Sequence, residues 1–114
     1  MAVEHNAALR DGLLALLSEQ PDLEVVDTPS DAHDAFLAVE RSEPDVAIID
    51  VDLRGSLDLM LRLRAEHPDV KIIALVNYEW DHIVPAAVAA SGSPCIPKDH
   101  ISRRLLAQIR GADD

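Results

Sequence analysis

Two runs of apolar residues constrain the fold of this 114-residue chain more than any other feature. Residues 46–49 read VAII, and residues 70–76 are apolar except for Lys71. Because successive positions are apolar, both faces of each strand are expected to be covered, as in a parallel sheet between two layers of helices. Shorter strands are predicted at residues 23–26 and 94–97, the latter at a sheet edge because its two prolines lack an N–H donor.

Helical periodicity alternates with these strands along the chain. The five apolar stripes are Leu9, Leu13, Leu16 and Leu17; Ala32, Ala35, Phe36 and Val39; Leu59, Met60 and Leu63; Val84, Ala87 and Val88; and Ile101, Leu105 and Ile109. Pro21 closes the first helix, and the side chains of Ser30, Ser56 and Asp81 are predicted to cap the next three. The order α-β-α-β-α-β-α-β-α predicts a single α/β domain over residues 1–114, with a mainly parallel sheet and right-handed crossovers.

The composition excludes several classes of function. A formal net charge of −11 and only three aromatic residues argue against binding to nucleic acid or to an anionic membrane, and favour a protein partner or a divalent cation. No apolar run approaches the roughly 20 residues that span a bilayer, and the first residues lack the features of a signal peptide. A cytoplasmic protein is therefore expected, and the lone Cys95, which cannot form an internal disulfide, agrees with a reducing compartment.

Polar side chains follow two of the predicted strands. Asp50 and Asp52 come directly after the buried VAII run, and Lys98 follows the last strand. Ligands of parallel α/β sheets bind at the carboxyl ends of the strands, so these three residues form the candidate site. A plainer interpretation stays open, in which the acids only enter a turn toward Gly55 and Lys98 is a solvated loop residue.

Four segments resemble the receiver domains of bacterial response regulators. They are residues 13–17 together with 21–26, residues 44–55, residues 67–73 and residues 96–99, and they cover nearly the whole chain in the right order. The resemblance implies a flavodoxin-like fold and a signalling module of a two-component phosphorelay. It further implies that a histidine kinase or another signalling protein is the partner, that Asp50 accepts the phosphoryl group and that Lys98 assists. The output domain that usually accompanies such a domain is absent from this sequence.

The same resemblance identifies a metal site and two switch positions. Mg²⁺ would be held by Asp50, by Glu4 and by the backbone carbonyl of Asp52. His5 falls on the position of a second acid, and imidazole is a poor ligand for Mg²⁺. Val76 stands in place of the switch hydroxyl.

Cys95 stands in place of the switch aromatic, and we interpret it as a small core residue rather than a redox sensor. The five histidines, His5 among them, lack ligand spacing and are interpreted mostly as surface residues. The receiver is therefore expected to be atypical, with Mg²⁺ affinity and phosphorylation weak or lost.

The first strand of the family is the largest departure. Residues 1–3 are all that remains of it, which predicts a gap at the centre of the sheet. Unpaired backbone groups there would cost on the order of 1–3 kcal/mol each. A rearranged sheet, completion by a second copy in a dimer, and truncation of a longer protein are the three expected solutions.

Two other functions stay open. Residues 48–52 (IIDVD) also resemble the first motif of haloacid-dehalogenase-type phosphatases, with Asp50 as nucleophile and Asp52 as general acid. A purely structural interaction subunit is the third interpretation. By the receiver resemblance, the partner surface would comprise roughly residues 81–110.

Overall fold

A computed structural model describes residues 1–76, 94–98 and 101–111 of the chain, and a parallel sheet lies at the centre of the fold. Within this described part the sheet has four strands in the order β1-β2-β3-β4. They are β1 (Ala2–Val3), β2 (Val46–Asp50), β3 (Lys71–Val76) and β4 (Cys95–Pro97). Each neighbouring pair is parallel, and β4 lies at an edge of the described sheet, as its prolines predict.

Helices flank the sheet on both faces. They are α1 (Ala7–Ser18), α2 (Ala32–Ser42), α3 (Ser56–Glu66) and α4 (Ile101–Arg110). The predicted helix capped by Asp81, with Val84, Ala87 and Val88 on its apolar stripe, lies outside the described residues. The arrangement confirms the predicted flavodoxin-like α/β fold, a parallel sheet flanked by helices.

Alternation along β2 explains why the VAII run is apolar at every position. Ala47 and Ile49 face the core cluster formed with α2 and α3. Ile48 faces the other way, into the cluster that contains Leu13 of α1 and Leu105 of α4. A strand with helices on both faces needs apolar side chains on both, and burial of an isoleucine side chain such as Ile48 or Ile49 contributes about 1.5–3 kcal/mol.

The predicted gap in the sheet is not present. Ala2 and Val3 pair with Ile48 and Ile49 of β2, and both are fully buried. Met1 extends the pairing, because its amino group donates to the Val46 carbonyl and its own carbonyl accepts from the Ile48 amide. The expectation of a rearranged sheet is therefore wrong. The reason for expecting a second copy to complete the sheet also disappears, and dimerisation stays a prediction.

Residues 23–26 do not form the predicted strand. The backbone contact with β1 that lies nearest in sequence to this segment is one hydrogen bond, which the Ala2 amide donates to the Asp27 carbonyl at 3.3 Å. Leu23 and Val25 still pack against the core. Because β1 has only two residues, it offers too few backbone groups to support a regular ladder with a second neighbour.

Two predicted helix caps are displaced by one residue. Asp31, not Ser30, caps α2, with its side chain accepting a hydrogen bond from the Asp34 amide. Gly55 occupies the cap position of α3 in the left-handed region, with φ of 80°, and Ser56 is the first helical residue. Glycine suits that conformation because it has no Cβ.

Candidate functional site

Asp50 lies at the carboxyl end of β2 with a fully buried side chain. Its Oδ1 accepts a hydrogen bond from the Asp52 amide at 2.9 Å, and its Oδ2 accepts one from Lys98 Nζ at 2.9 Å. A buried carboxylate is costly unless it is paired, and these two donors provide the pairing. The structure thus brings together the three residues of the predicted site.

The turn after β2 fixes the position of Asp52. The Val51 amide continues the sheet by donating to the Leu75 carbonyl, and the Ser56 hydroxyl donates to the Val51 carbonyl at 2.6 Å. Asp52 Oδ2 consequently lies 3.4 Å from Lys98 Nζ. If the two acids were ordinary turn residues, there would be no reason for both of their side chains to contact the ammonium of Lys98.

Lys98 directly follows β4, and β3 lies between β4 and the strand that ends at Asp50. Burial lowers the pKa of the Lys98 ammonium. The hydrogen bond that Lys98 donates to Asp50 and the charges of Asp50, Glu4 and Asp52 outweigh that effect, so the pKa of Lys98 is raised overall. The side chain therefore stays cationic at neutral pH, and its 21% exposure does not fit a freely solvated loop lysine.

Glu4 enters the site because β1 places it beside the end of β2. The side chain is fully buried, and Oε1 accepts from the Asn6 amide at 3.0 Å. Oε2 has no hydrogen-bond partner in the described part of the chain. Burial first, and then the adjacent Asp50 carboxyl, raise the pKa of Glu4 to about 7.

His5 faces the same two carboxyl groups. Its Nδ1 lies 3.4 Å from Glu4 Oε1 and 3.8 Å from Asp50 Oδ2, although the side chain is 53% exposed. Among the described residues, Glu4, His5 and Asp50 form a group whose ligand atoms lie within 4.8 Å of one another. The family resemblance places His5 at the position of a second metal-holding acid, and this contact lies there, whereas the interpretation of the histidines as mostly surface residues did not predict it.

The two substituted switch positions lie on adjacent strands. Val76 ends β3 and is buried, so the described site has an alkyl group where the family resemblance expects a hydroxyl. Cys95 begins β4, is half-buried and packs against the core. Burial raises the pKa of the Cys95 thiol, which favours the unreactive protonated form and agrees with a core role.

Comparison with known proteins identifies the class of this fold and site. The response regulator receiver domain family matches residues 1–110, so the chain belongs to that family. The DNA-binding transcriptional activator DevR/DosR of Mycobacterium tuberculosis is 31% identical over 110 residues, covering 95% of this chain and 51% of that protein. The chain thus spans about half the length of this curated relative.

Solved structures show the same fold. The response regulator domain of Thermotoga maritima CheB superposes with a TM-score of 0.86 at 19% identity, covering 97% of this chain and 92% of that one. A LuxR-family DNA-binding response regulator from Staphylococcus aureus gives 0.87 at 19% identity, covering 99% and 96%. At these identities the likeness concerns the fold alone.

Family membership confirms the receiver interpretation. The chain is a receiver domain of the two-component type, a class of signalling modules that interact with histidine kinases. The dehalogenase resemblance rests on five residues, whereas the receiver match extends over 110. In the described part of the chain, no helix has the length and apolar character needed to cross a bilayer.

Proposed function

We propose that this receiver accepts a phosphoryl group at Asp50 slowly, and that it binds its protein partner with little dependence on that modification. The observation that carries the proposal is the 2.9 Å hydrogen bond between Lys98 Nζ and the buried Asp50 Oδ2. It supports a nucleophilic carboxylate held in one orientation beside a fixed positive charge, which is what phosphoryl transfer to an acid requires.

The transfer itself needs few groups. A carboxylate oxygen of Asp50 attacks the phosphorus of a phosphohistidine, a P–O bond forms and the donor's P–N bond breaks. The electron pair of that bond stays on the imidazole nitrogen of the kinase. The ammonium of Lys98 offsets charge on the transferring oxygens, because it already lies at the acceptor carboxylate.

A divalent cation fits the residues present. Glu4 and Asp50 supply oxygen ligands, and Glu4 Oε2 is buried without a hydrogen-bond partner in the described structure. These two side chains and the backbone carbonyl of Asp52 would hold the ion. When bound, such a cation neutralises charge on the phosphoryl oxygens.

Two features support slow modification and a weak response. Asp50 is fully buried, and the groups that contact its Oδ2, His5 and Lys98, must yield space to a phosphodonor. Val76 provides no hydroxyl to bind an added phosphoryl group, and Cys95 provides no aromatic ring to reorient.

Partner binding through the surface of residues 81–110 is therefore proposed to be largely constitutive. A net charge of −11 favours a protein partner over nucleic acid.

Intact-mass spectrometry after incubation with acetyl phosphate tests the proposal. Parallel reactions are run with Mg²⁺ and with Mn²⁺, so that the result does not depend on the choice of one cation. We expect a slow gain of a single phosphoryl group by the native chain and by Asp52→Asn, and no gain by Asp50→Asn. No gain by the native chain with either cation would refute phosphorylation at Asp50. Hydrolysis of a generic phosphate ester that requires Asp52 would instead support the dehalogenase-type function.

A further inference from the structure

We propose that His5 Nδ1 is a metal ligand, and that the site of Glu4, His5 and Asp50 prefers a first-row transition-metal dication over Mg²⁺. The inference rests on the proposed function only for the use of the cation in phosphoryl transfer. Binding of the ion can be measured without any phosphodonor.

The positions of the three ligand atoms carry the proposal. His5 Nδ1 lies 3.4 Å from Glu4 Oε1 and 3.8 Å from Asp50 Oδ2. Metal–ligand bonds of about 2.0–2.2 Å place neighbouring ligands of one ion roughly 3–3.5 Å apart. The two distances from His5 Nδ1 are therefore close to the spacing that a single ion imposes, and all three ligand atoms lie within 4.8 Å of one another.

An unpartnered oxygen gives a second and independent indication of a ligand. Glu4 is fully buried, and its Oε2 has no hydrogen-bond donor in the described part of the chain. A buried polar atom without a partner is costly, and such atoms commonly mark an ion or water site. A cation between Glu4 and Asp50 would satisfy this oxygen and offset the charge of two adjacent carboxylates.

The donor set decides which cation is favoured. Mg²⁺ takes oxygen ligands in a near-ideal octahedron, whereas imidazole nitrogen suits zinc, iron, cobalt and nickel. Two carboxylate oxygens with one imidazole nitrogen therefore favour the transition metals. Because the His5 side chain is half exposed, an ion can reach the site from solvent.

Calorimetric titration of the whole metal-free chain with Co²⁺ and with Mg²⁺ measures the preference. The native chain should bind Co²⁺ more tightly than Mg²⁺. His5→Asp, which replaces the nitrogen by oxygen, should bring the two affinities at least about tenfold closer together. His33→Asp is the matched control, because His33 is exposed on α2, and it should leave the ratio unchanged. Cobalt bound through nitrogen should also show visible absorption that changes in His5→Gln.

Several results would overturn the assignment. These are an affinity ratio unchanged in His5→Asp, a ratio that falls equally in His33→Asp, and a folded native chain that binds neither ion. Circular dichroism establishes that each variant is folded. A chain that prefers Co²⁺ through His5 yet gains no phosphoryl group from acetyl phosphate would refute the proposed function alone.

Discussion

Lys98 Nζ donates a 2.9 Å hydrogen bond to Asp50 Oδ2 and so joins two strands that are not neighbours. Asp50 ends β2 and Lys98 follows β4, with β3 between them. The contact spans 48 positions of sequence. It supplies the positive charge that allows Asp50 and Glu4, both fully buried, to occupy the same end of the sheet.

Removing that ammonium should destabilise the fold. In Lys98→Met the free energy of unfolding should fall by about 1–3 kcal/mol, because Asp50 remains buried without its cation. In the Asp50→Asn background the same change should cost much less, since a neutral amide needs no counter-charge. Urea denaturation of the four proteins in a double-mutant cycle measures the coupling. Equal costs in the two backgrounds would mean that the contact contributes nothing.

The stability should also depend on pH through Glu4. Its pKa is raised from 4.5 to about 7, so the folded chain holds this proton more tightly than the unfolded chain. The resulting stabilisation is fully present below pH 4.5 and is lost as the pH rises through about 7.

Glu4→Gln isolates that contribution, because glutamine does not titrate. The free energy of unfolding of the native chain, minus that of Glu4→Gln, should decrease between pH 4.5 and 8 when a chelator removes divalent ions. The subtraction cancels the effect of the titrating groups that do not interact with Glu4. If the difference in the free energy of unfolding were constant over this pH range, Glu4 would not be buried beside the Asp50 carboxyl group.

The cap of α2 predicts a contrast between adjacent residues. Asp31→Ala should lower the free energy of unfolding by about 1 kcal/mol, because the Asp34 amide loses its acceptor. Ser30→Ala should change it little, since Ser30 is exposed and precedes the cap. Thermal denaturation followed by circular dichroism compares the two. The opposite ranking would place the cap at Ser30.

The thiol of Cys95 should react slowly. It is half-buried, and burial raises its pKa, so little thiolate is present at neutral pH. Alkylation by iodoacetamide at pH 7 should be at least about tenfold slower than that of free cysteine. Unfolding in urea should restore the ordinary rate. A folded chain that reacts as fast as free cysteine would favour a redox role.

Most of the fold could be predicted because long apolar strands carry strong signals. β2 and β3 are apolar on both faces, and the parallel arrangement follows from the alternation with helices. That arrangement also predicted that Asp50 and Lys98 would meet, since the carboxyl ends of parallel strands share one edge of the sheet.

The wrong predictions concern features that are too short to leave a sequence pattern, or that depend on tertiary contacts. β1 has two residues, and its stability comes from burial and from pairing with Ile48 and Ile49 rather than from propensity. Residues 23–26 have β-rich composition but lack a long partner. Only the family resemblance pointed to His5 as a position of the metal site, because two adjacent residues after a strand show no ligand spacing.

We propose that Asp50 accepts a phosphoryl group in a site without the usual switch residues. Amide NMR spectra with and without beryllofluoride, a mimic of aspartyl phosphate, test it most directly when a divalent cation is present. We expect shifts at the amides of residues 50–52 and Lys98, with those of residues 105–110 in α4 unchanged. Unchanged amides at residues 50–52 would contradict the acceptor role of Asp50, and shifts throughout residues 105–110 would contradict the loss of the switch.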